Sequence, residues 1–256
     1  MIGLHMSGAG NDFVVIDARG ITADLAELAI KACAQTGADG FLALDHSDIA
    51  DFRLHFYNSD GLRGEMCGNG ARCICRYAYE KGLVGNEMTI QTDAGLVYGL
   101  RLEDGSYRVR LNNPGRLELN YIDDIAYVEL GNPGIPHALL EVPGLNWDDR
   151  ELLRPMAQRI RHDPRFPKGT NVNFYTLLHD GHARILSYER GVEDYTLACG
   201  TGSGSLAALL WHQGLIADTL TVENPGGTLT LTVSGTLAIH ELYLEGPTQI
   251  LATIQL

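Results

Sequence analysis

A chain of 256 residues with 45% apolar and 20% charged side chains can bury a full core and is not a disordered polymer. Its net charge of −13 argues against a nucleic-acid partner, because phosphate contacts need clustered Lys and Arg. No apolar run reaches membrane-spanning length, the first residues lack a secretory pattern, and five cysteines make an odd count, so a cytoplasmic protein with reduced thiols is expected.

In chain order, Gly8–Asp12 reads as a loop that introduces a buried strand, Phe13–Asp17, with Asn11 its polar residue of interest. Asp24–Gln35 carries apolar residues at three-and-four spacing and reads as an amphipathic helix, with Cys33 as filler at its end. Phe41–Leu44 and Phe52–Tyr57 read as strands, the second alternating apolar and polar before the turn Asn58–Gly61. Ala71–Lys81 is helical, and Met88–Thr92 and Leu100–Leu111 are strand-like. Asn112–Gly115 is turn-rich and marks the expected boundary between an N-terminal half, 1–114, and a C-terminal half, 115–256. The end of the chain could pack back onto the first half. Beyond it, Gly131–His137 reads as a glycine loop feeding an apolar strand, and Leu152–Ile160 as a helix with Pro155 in its first turn. Asn171–Leu177 and Ala183–Glu189 are strands, Ser203–Trp211 is a helix, and Leu220–Leu256 is strand and turn throughout.

One stretch occurs twice. Met66-Cys67-Gly68-Asn69-Gly70-Ala71-Arg72 is matched by Ala198-Cys199-Gly200-Thr201-Gly202-Ser203-Gly204. Gly82 and Gly214 each follow their cysteine by 15 residues, Thr89 and Thr221 by 22, and Gly95 and Gly227 by 28. The matched frames predict two similar α+β halves, each a mostly antiparallel sheet wrapped around a central helix that starts at a cysteine. Both helices are apolar on nearly every face, as buried helices are.

A helix N-terminus presents unpaired N–H groups and partial positive charge, which lowers the pKa of a cysteine placed there. The following Gly-x-Gly lets backbone amides approach an anion. Two such ends around one site would give two sulfur bases, one removing a proton from a carbon and the other returning it on the opposite face. Amides aimed at a carboxylate would stabilise the developing charge without a cofactor. With only Lys31, Lys81 and Lys168 present, candidates for a pyridoxal phosphate Schiff base are few. Other readings are weaker. A lone cysteine is commonly core filler. Cys67, Cys73, Cys75 and Cys199 lack the spacing of a zinc knuckle, so no metal is expected. Gly200–Gly204 is a poor match to a dinucleotide loop, since the spacing departs from G-x-G-x-x-G and no simple βαβ unit surrounds it.

Gly10-Asn11-Asp12-Phe13, Asn58-x-Asp60-Gly61, Cys67–Arg72, Pro136-His137, Asn171, Glu189-Arg190-Gly191 and Ala198–Gly202 together resemble diaminopimelate epimerase over nearly the whole chain. The resemblance implies a two-lobed, pseudo-symmetric fold and a cofactor-independent isomerase. It would interconvert LL- and meso-diaminopimelate for lysine and peptidoglycan synthesis, with a homodimer as the assembly. It implies Cys67 and Cys199 as the two bases, and Gly68, Asn69, Gly200 and Thr201 as holders of the reacting carboxylate. Asn11, Asn58, Asn171, Glu189 and Arg190 would bind the remaining polar groups, with His137 a further candidate near the reaction centre. Two features depart from the family. Ile135 stands where an asparagine is usual, and Val192–Thr196 is one residue longer than expected. Both touch recognition of the substrate, so a racemase of another amino acid using the same two cysteines is the alternative.

Overall fold

The computed structural model describes residues 1–64 and 66–256. The chain forms two compact units, one of Met1–Arg110 with Glu245–Leu256 and one of Leu111–Leu244. The elements run β1 (Ile2–Gly8), β2 (Asn11–Asp17), α1 (Leu25–Thr36), β3 (Gly40–Asp45), β4 (Phe52–Asn58), β5 (Arg63–Gly64), α2 (Gly68–Glu80), β6 (Glu87–Thr92), β7 (Gly95–Arg101) and β8 (Tyr107–Leu111). They continue with β9 (Pro114–Ile122), β10 (Ile125–Gly131), β11 (Gly134–Glu141), α3 (Arg150–Arg161), β12 (Asn171–His179), β13 (His182–Glu189) and β14 (Asp194–Tyr195). The last are α4 (Gly200–His212), β15 (Thr219–Asn224), β16 (Gly227–Gly235), β17 (Ile239–Gly246) and β18 (Gln249–Gln255).

In the first unit the strands pair in the order β18, β1, β2, β3, β4, β6, β7, β8, with short β5 also on β4. All pairs are antiparallel except β2–β3 and β4–β6. The second unit repeats the plan as β9, β10, β11, β12, β13, β15, β16, with β14 on β13 and parallel pairs only at β11–β12 and β13–β15. Each parallel pair needs a crossover. Helix α1 supplies one, started by Asp24, whose carboxylate accepts from Ala26 N at 2.8 Å, and stopped at Gly37 with φ 76°.

Helices α2, α3 and α4 supply the others, and α2 and α4 are the buried centres. Ten residues of α4 are buried, Leu206, Leu209 and Leu210 almost completely, at about 1.5–3 kcal/mol for each such side chain. Small residues let the helices sit close to their sheets: a Cβ on Gly70 would meet Leu42, and one on Gly204 would meet Leu111, Leu130 and Leu242. Both helices end two residues before glycines in the left-handed region, Gly82 (φ 68°) and Gly214 (φ 71°), with Lys81 and Gln213 as the caps between. The sequence repeat is thus a repeat of elements, in which helix, stop glycine and following hairpin recur in step.

Several details differ from the sequence expectation. Strand β1 was not anticipated, since its polar His5 and Ser7 hide the apolar alternation, and Gly8–Asp12 is a tight hairpin with only Ala9 and Gly10 at its tip. Strand β9 begins at Pro114, inside the expected boundary turn, and Ile135–His137 lie on β11 rather than in a loop. Pro155 lies inside α3, because Asn146 caps a 3₁₀ turn at Trp147–Asp149 and starts the helix at Arg150, earlier than its apolar spacing suggests. Among the described residues no helix is long and apolar enough to cross a membrane.

Candidate active site

In the first unit Cys67 is the extended residue (φ −132°, ψ 121°) that opens α2. Its thiol does not cap the helix but faces Asn11 Oδ1 at 3.7 Å. The Asn11 amide is oriented from behind: its Nδ2 donates to Asp39 Oδ2 at 2.6 Å, and the same oxygen accepts from Asp12 N at 2.9 Å. Only the NH₂ end of an amide can donate to a carboxylate, so Asp39 leaves the Asn11 carbonyl for the thiol. Asp39 also accepts from Ser59 N through its own carbonyl, which ties the turn after Asn58 to this group. Asn58 itself ends β4 opposite Gly40, with an exposed side chain.

Arg72, one turn into α2, is fully buried and donates to Gly68 O at 3.4 Å and Asn69 Oδ1 at 3.0 Å. Burial holds its pKa down, while the field of nearby cysteines, Cys67 among them, raises it. A buried guanidinium therefore adds to the positive end of α2 beside Cys67. Neither Asp39 nor the electrostatic part of Arg72 was recognised in the sequence. Asp39 lies 28 residues from Asn11 and carries no motif.

In the second unit Cys199 (φ −108°, ψ 104°) opens α4 and is buried. Its sulfur accepts from Gly202 N at 3.3 Å, a true side-chain cap, and lies 3.6 Å from the Thr201 hydroxyl. Burial, with the Glu189 carboxylate as second cause, pushes its pKa well above the usual thiol value, and the Thr201 and Gly202 contacts oppose the rise without reversing it. This corrects the expectation of a lowered pKa at this cysteine: a helix end contributes less than complete removal from water plus a like charge.

Glu189 ends β13 and accepts from the Thr196 hydroxyl at 2.5 Å. Asn171 opens β12, and both ends of its amide are engaged, Nδ2 donating to Pro136 O at 3.2 Å and Oδ1 accepting from Arg190 N at 2.8 Å. The Arg190 side chain is exposed and donates to Lys168 O at 2.6 Å. His137 is fully buried, its pKa pulled down to about 3 by burial and the Arg190 charge, so it is a neutral imidazole. Asn173 Nδ2 lies 3.2 Å from its Nδ1 and donates to Ala138 O at 3.1 Å, while Asn173 Oδ1 accepts from Ser187 at 2.8 Å. A Cβ on Gly202 would collide with that Asn173 oxygen, so the first turn of α4 rests on this buried polar group. Asn173 and Ser187 were also missed in the sequence, where each looks like an ordinary strand residue. Ile135, opposite Leu130 on β10, offers no polar atom.

The structure thus brings Asn11 and Cys67 together, and groups Cys199 with Thr201 and Glu189. Asn171 braces backbone on both sides. Gly68, Asn69, Gly200 and Thr201 are the opening residues of the two helices, so their amides lie at the helices' positive ends.

The fold recurs in known structures at low identity. A phenazine biosynthesis protein of the PhzF family from Bacillus anthracis is 17% identical with a TM-score of 0.78, over 99% of this chain and 98% of that one. A hydroxyproline epimerase from Agrobacterium vitis is 18% identical with a TM-score of 0.68, over 100% and 90%. The protein is an isomerase of the epimerase class. It belongs to the diaminopimelate epimerase family, whose model matches residues 3–113 and 130–251. The diaminopimelate epimerase of Aquifex aeolicus is 35% identical over 94% of this chain and 92% of its own length.

Proposed function

We propose that the protein interconverts LL- and meso-diaminopimelate by a cofactor-independent, two-thiol mechanism, in the supply of lysine and peptidoglycan precursors. One observation carries the reading: corresponding helices of the two units each open on a cysteine, and each cysteine has its own polar partners. A thiolate takes the α-proton, the C–H electron pair is left on carbon, and the second thiol donates a proton to the opposite face. Cys199, whose raised pKa keeps it protonated, enters as the donor and Cys67 as the base. In the reverse direction the roles exchange after the proton is redistributed. The amides that open α2 and α4 stabilise the carboxylate as charge develops. Asn58 and Arg190 reach the distal end, where a guanidinium suits a carboxylate.

The test is α-proton exchange followed by NMR in deuterated water, with reductant and no added cofactor, on diaminopimelate beside lysine, glutamate and histidine. Exchange with diaminopimelate alone is the expected result. Exchange with another amino acid would move the assignment to a racemase, the reading that apolar Ile135 favours. Absence of exchange with all four would overturn both.

A further inference from the structure

The segment between the proposed distal-end residues and Cys199 is folded around one side chain that takes no part in the chemistry above. Glu193 has φ 58°, the left-handed region that a residue with a Cβ adopts at some cost. Five hydrogen bonds hold it there. Its N–H donates to Glu189 O at 2.8 Å, closing the turn 189–193 on itself. Its carbonyl accepts from the Tyr188 hydroxyl at 2.6 Å. Its carboxylate accepts from Gly191 N at 2.9 Å and from Arg161 Nε and Nη2 at 3.1 and 2.6 Å.

Arg161 is the last residue of α3, and its side chain is only 15% exposed. It packs on Gly169, where an added Cβ would meet the Arg161 guanidinium and, next, Arg190 Cδ. Gly169 follows Lys168, whose carbonyl holds the Arg190 guanidinium at 2.6 Å. The end of α3, the Glu193 turn and the backbone that seats Arg190 therefore form one contiguous unit.

We propose that the Arg161–Glu193 pair is a positioning clamp that sets where Arg190 and Glu189 present their charged groups. It selects substrate through them without touching it. The inference rests on the function proposed above. The added length of Val192–Thr196 is accommodated by this clamp, since a turn closed at Glu189 and fixed to α3 at Glu193 holds its start in place whatever follows.

The experiment compares wild type with Glu193→Ala and Glu193→Gln, the second keeping an acceptor for Gly191 and Arg161. Three readouts are taken: steady-state epimerisation of diaminopimelate, thermal melting, and hydrogen exchange of the peptide spanning 189–193 against the peptide carrying Cys67. Glu193→Ala should raise KM about tenfold while kcat changes less than about twofold, with Glu193→Gln recovering most of the loss. Exchange in 189–193 should rise about tenfold and stay unchanged around Cys67. Unchanged exchange in 189–193 would overturn the clamp, and this arm decides even if the wild-type protein proves inactive on diaminopimelate, which would sink the underlying reading separately. Faster exchange with unaltered KM, or kcat falling in parallel with melting temperature, would reduce the pair to a structural role and also overturn it.

Discussion

Cys67 and Cys199 occupy the same place in two copies of one plan, yet their surroundings differ. Cys67 is partly exposed and faces a neutral amide that Asp39 has turned toward it. Cys199 is buried, caps its own helix, and feels the negative charge of Glu189. The short strands before the two helices are also anchored differently. Arg63 on β5 is paired with Asp93, in the turn between β6 and β7, and donates to His55 of β4 at 2.8 Å. Asp194 on β14 accepts instead from Arg154 of α3 at 2.7 Å. Backbone geometry has been kept between the halves while side-chain electrostatics has diverged. The two helices open with the same backbone turn, while the side chain set against each thiol differs, an amide at Cys67 and a carboxylate at Cys199.

The sharpest way to break this comparison is to remove each thiol in turn. Cys67→Ala and Cys199→Ala should each lower kcat by about a thousandfold or more, as loss of a general acid or base does, in coupled assays of epimerisation. If only one of them did so, the two halves would not be partners in one reaction.

Next in size is a pair of corresponding glycines. Gly202→Ala drives a methyl into Asn173 and should cost about 1–3 kcal/mol in urea denaturation. Gly70→Ala meets side chains alone, Leu42 first at 3.1 Å and Phe13 at 3.5 Å, and gains helix propensity of about 0.5–1 kcal/mol, so its net effect should lie near zero. Equal losses would mean that the two helix starts are packed alike.

Alkaline titration separates the units by their buried thiols. Burial pushes Cys33 up to about 11 and Cys73 up to about 12, with Cys75 raised further, so three such thiols lie in the first unit against one, Cys199, in the second. A raised pKa means the folded chain keeps protons that the unfolded chain releases. Stability is therefore complete below the unfolded thiol value of about 8.5 and falls above it, by about 1.4 kcal/mol per pH unit for each thiol. Urea midpoints at pH 8 and 10 should show the fall, with a shallower slope in Cys33→Ala. The first unit should loosen first by hydrogen exchange.

The smallest expected effect is at Asp39. Asp39→Ala frees the Asn11 amide to rotate and should cost about 1 kcal/mol in kcat/KM, roughly fivefold, while leaving the rate of Cys199 alkylation unchanged.

What the sequence made legible follows from how each feature is encoded. Cys67, Cys199 and their glycine frames were readable because the repeat writes them twice, and the burial of α4 because its apolar residues leave almost no polar face. Asp39 was not readable, since its role arises when the parallel pairing of β2 and β3 brings it behind Asn11. The raised pKa of Cys199 was missed for a related reason. Local sequence announces a helix end, but the Glu189 carboxylate and the depth of burial are products of tertiary packing. Pro155 shows the same at the level of boundaries, where Asn146, a polar residue outside the apolar pattern, decides where the helix starts.

Strand β18 has a consequence for biosynthesis. It is the outer partner of β1 in the first unit, yet it is encoded at Gln249–Gln255, after all of the second unit. The corresponding strand of the second unit, β9, is encoded just ahead of β10, its partner. As the nascent chain leaves the ribosome, the first unit must wait with one edge of β1 unpaired until all of the second unit and Gln249–Gln255 have emerged, an aggregation hazard during that interval. The unit translated second can complete its ladder of strands before the unit translated first.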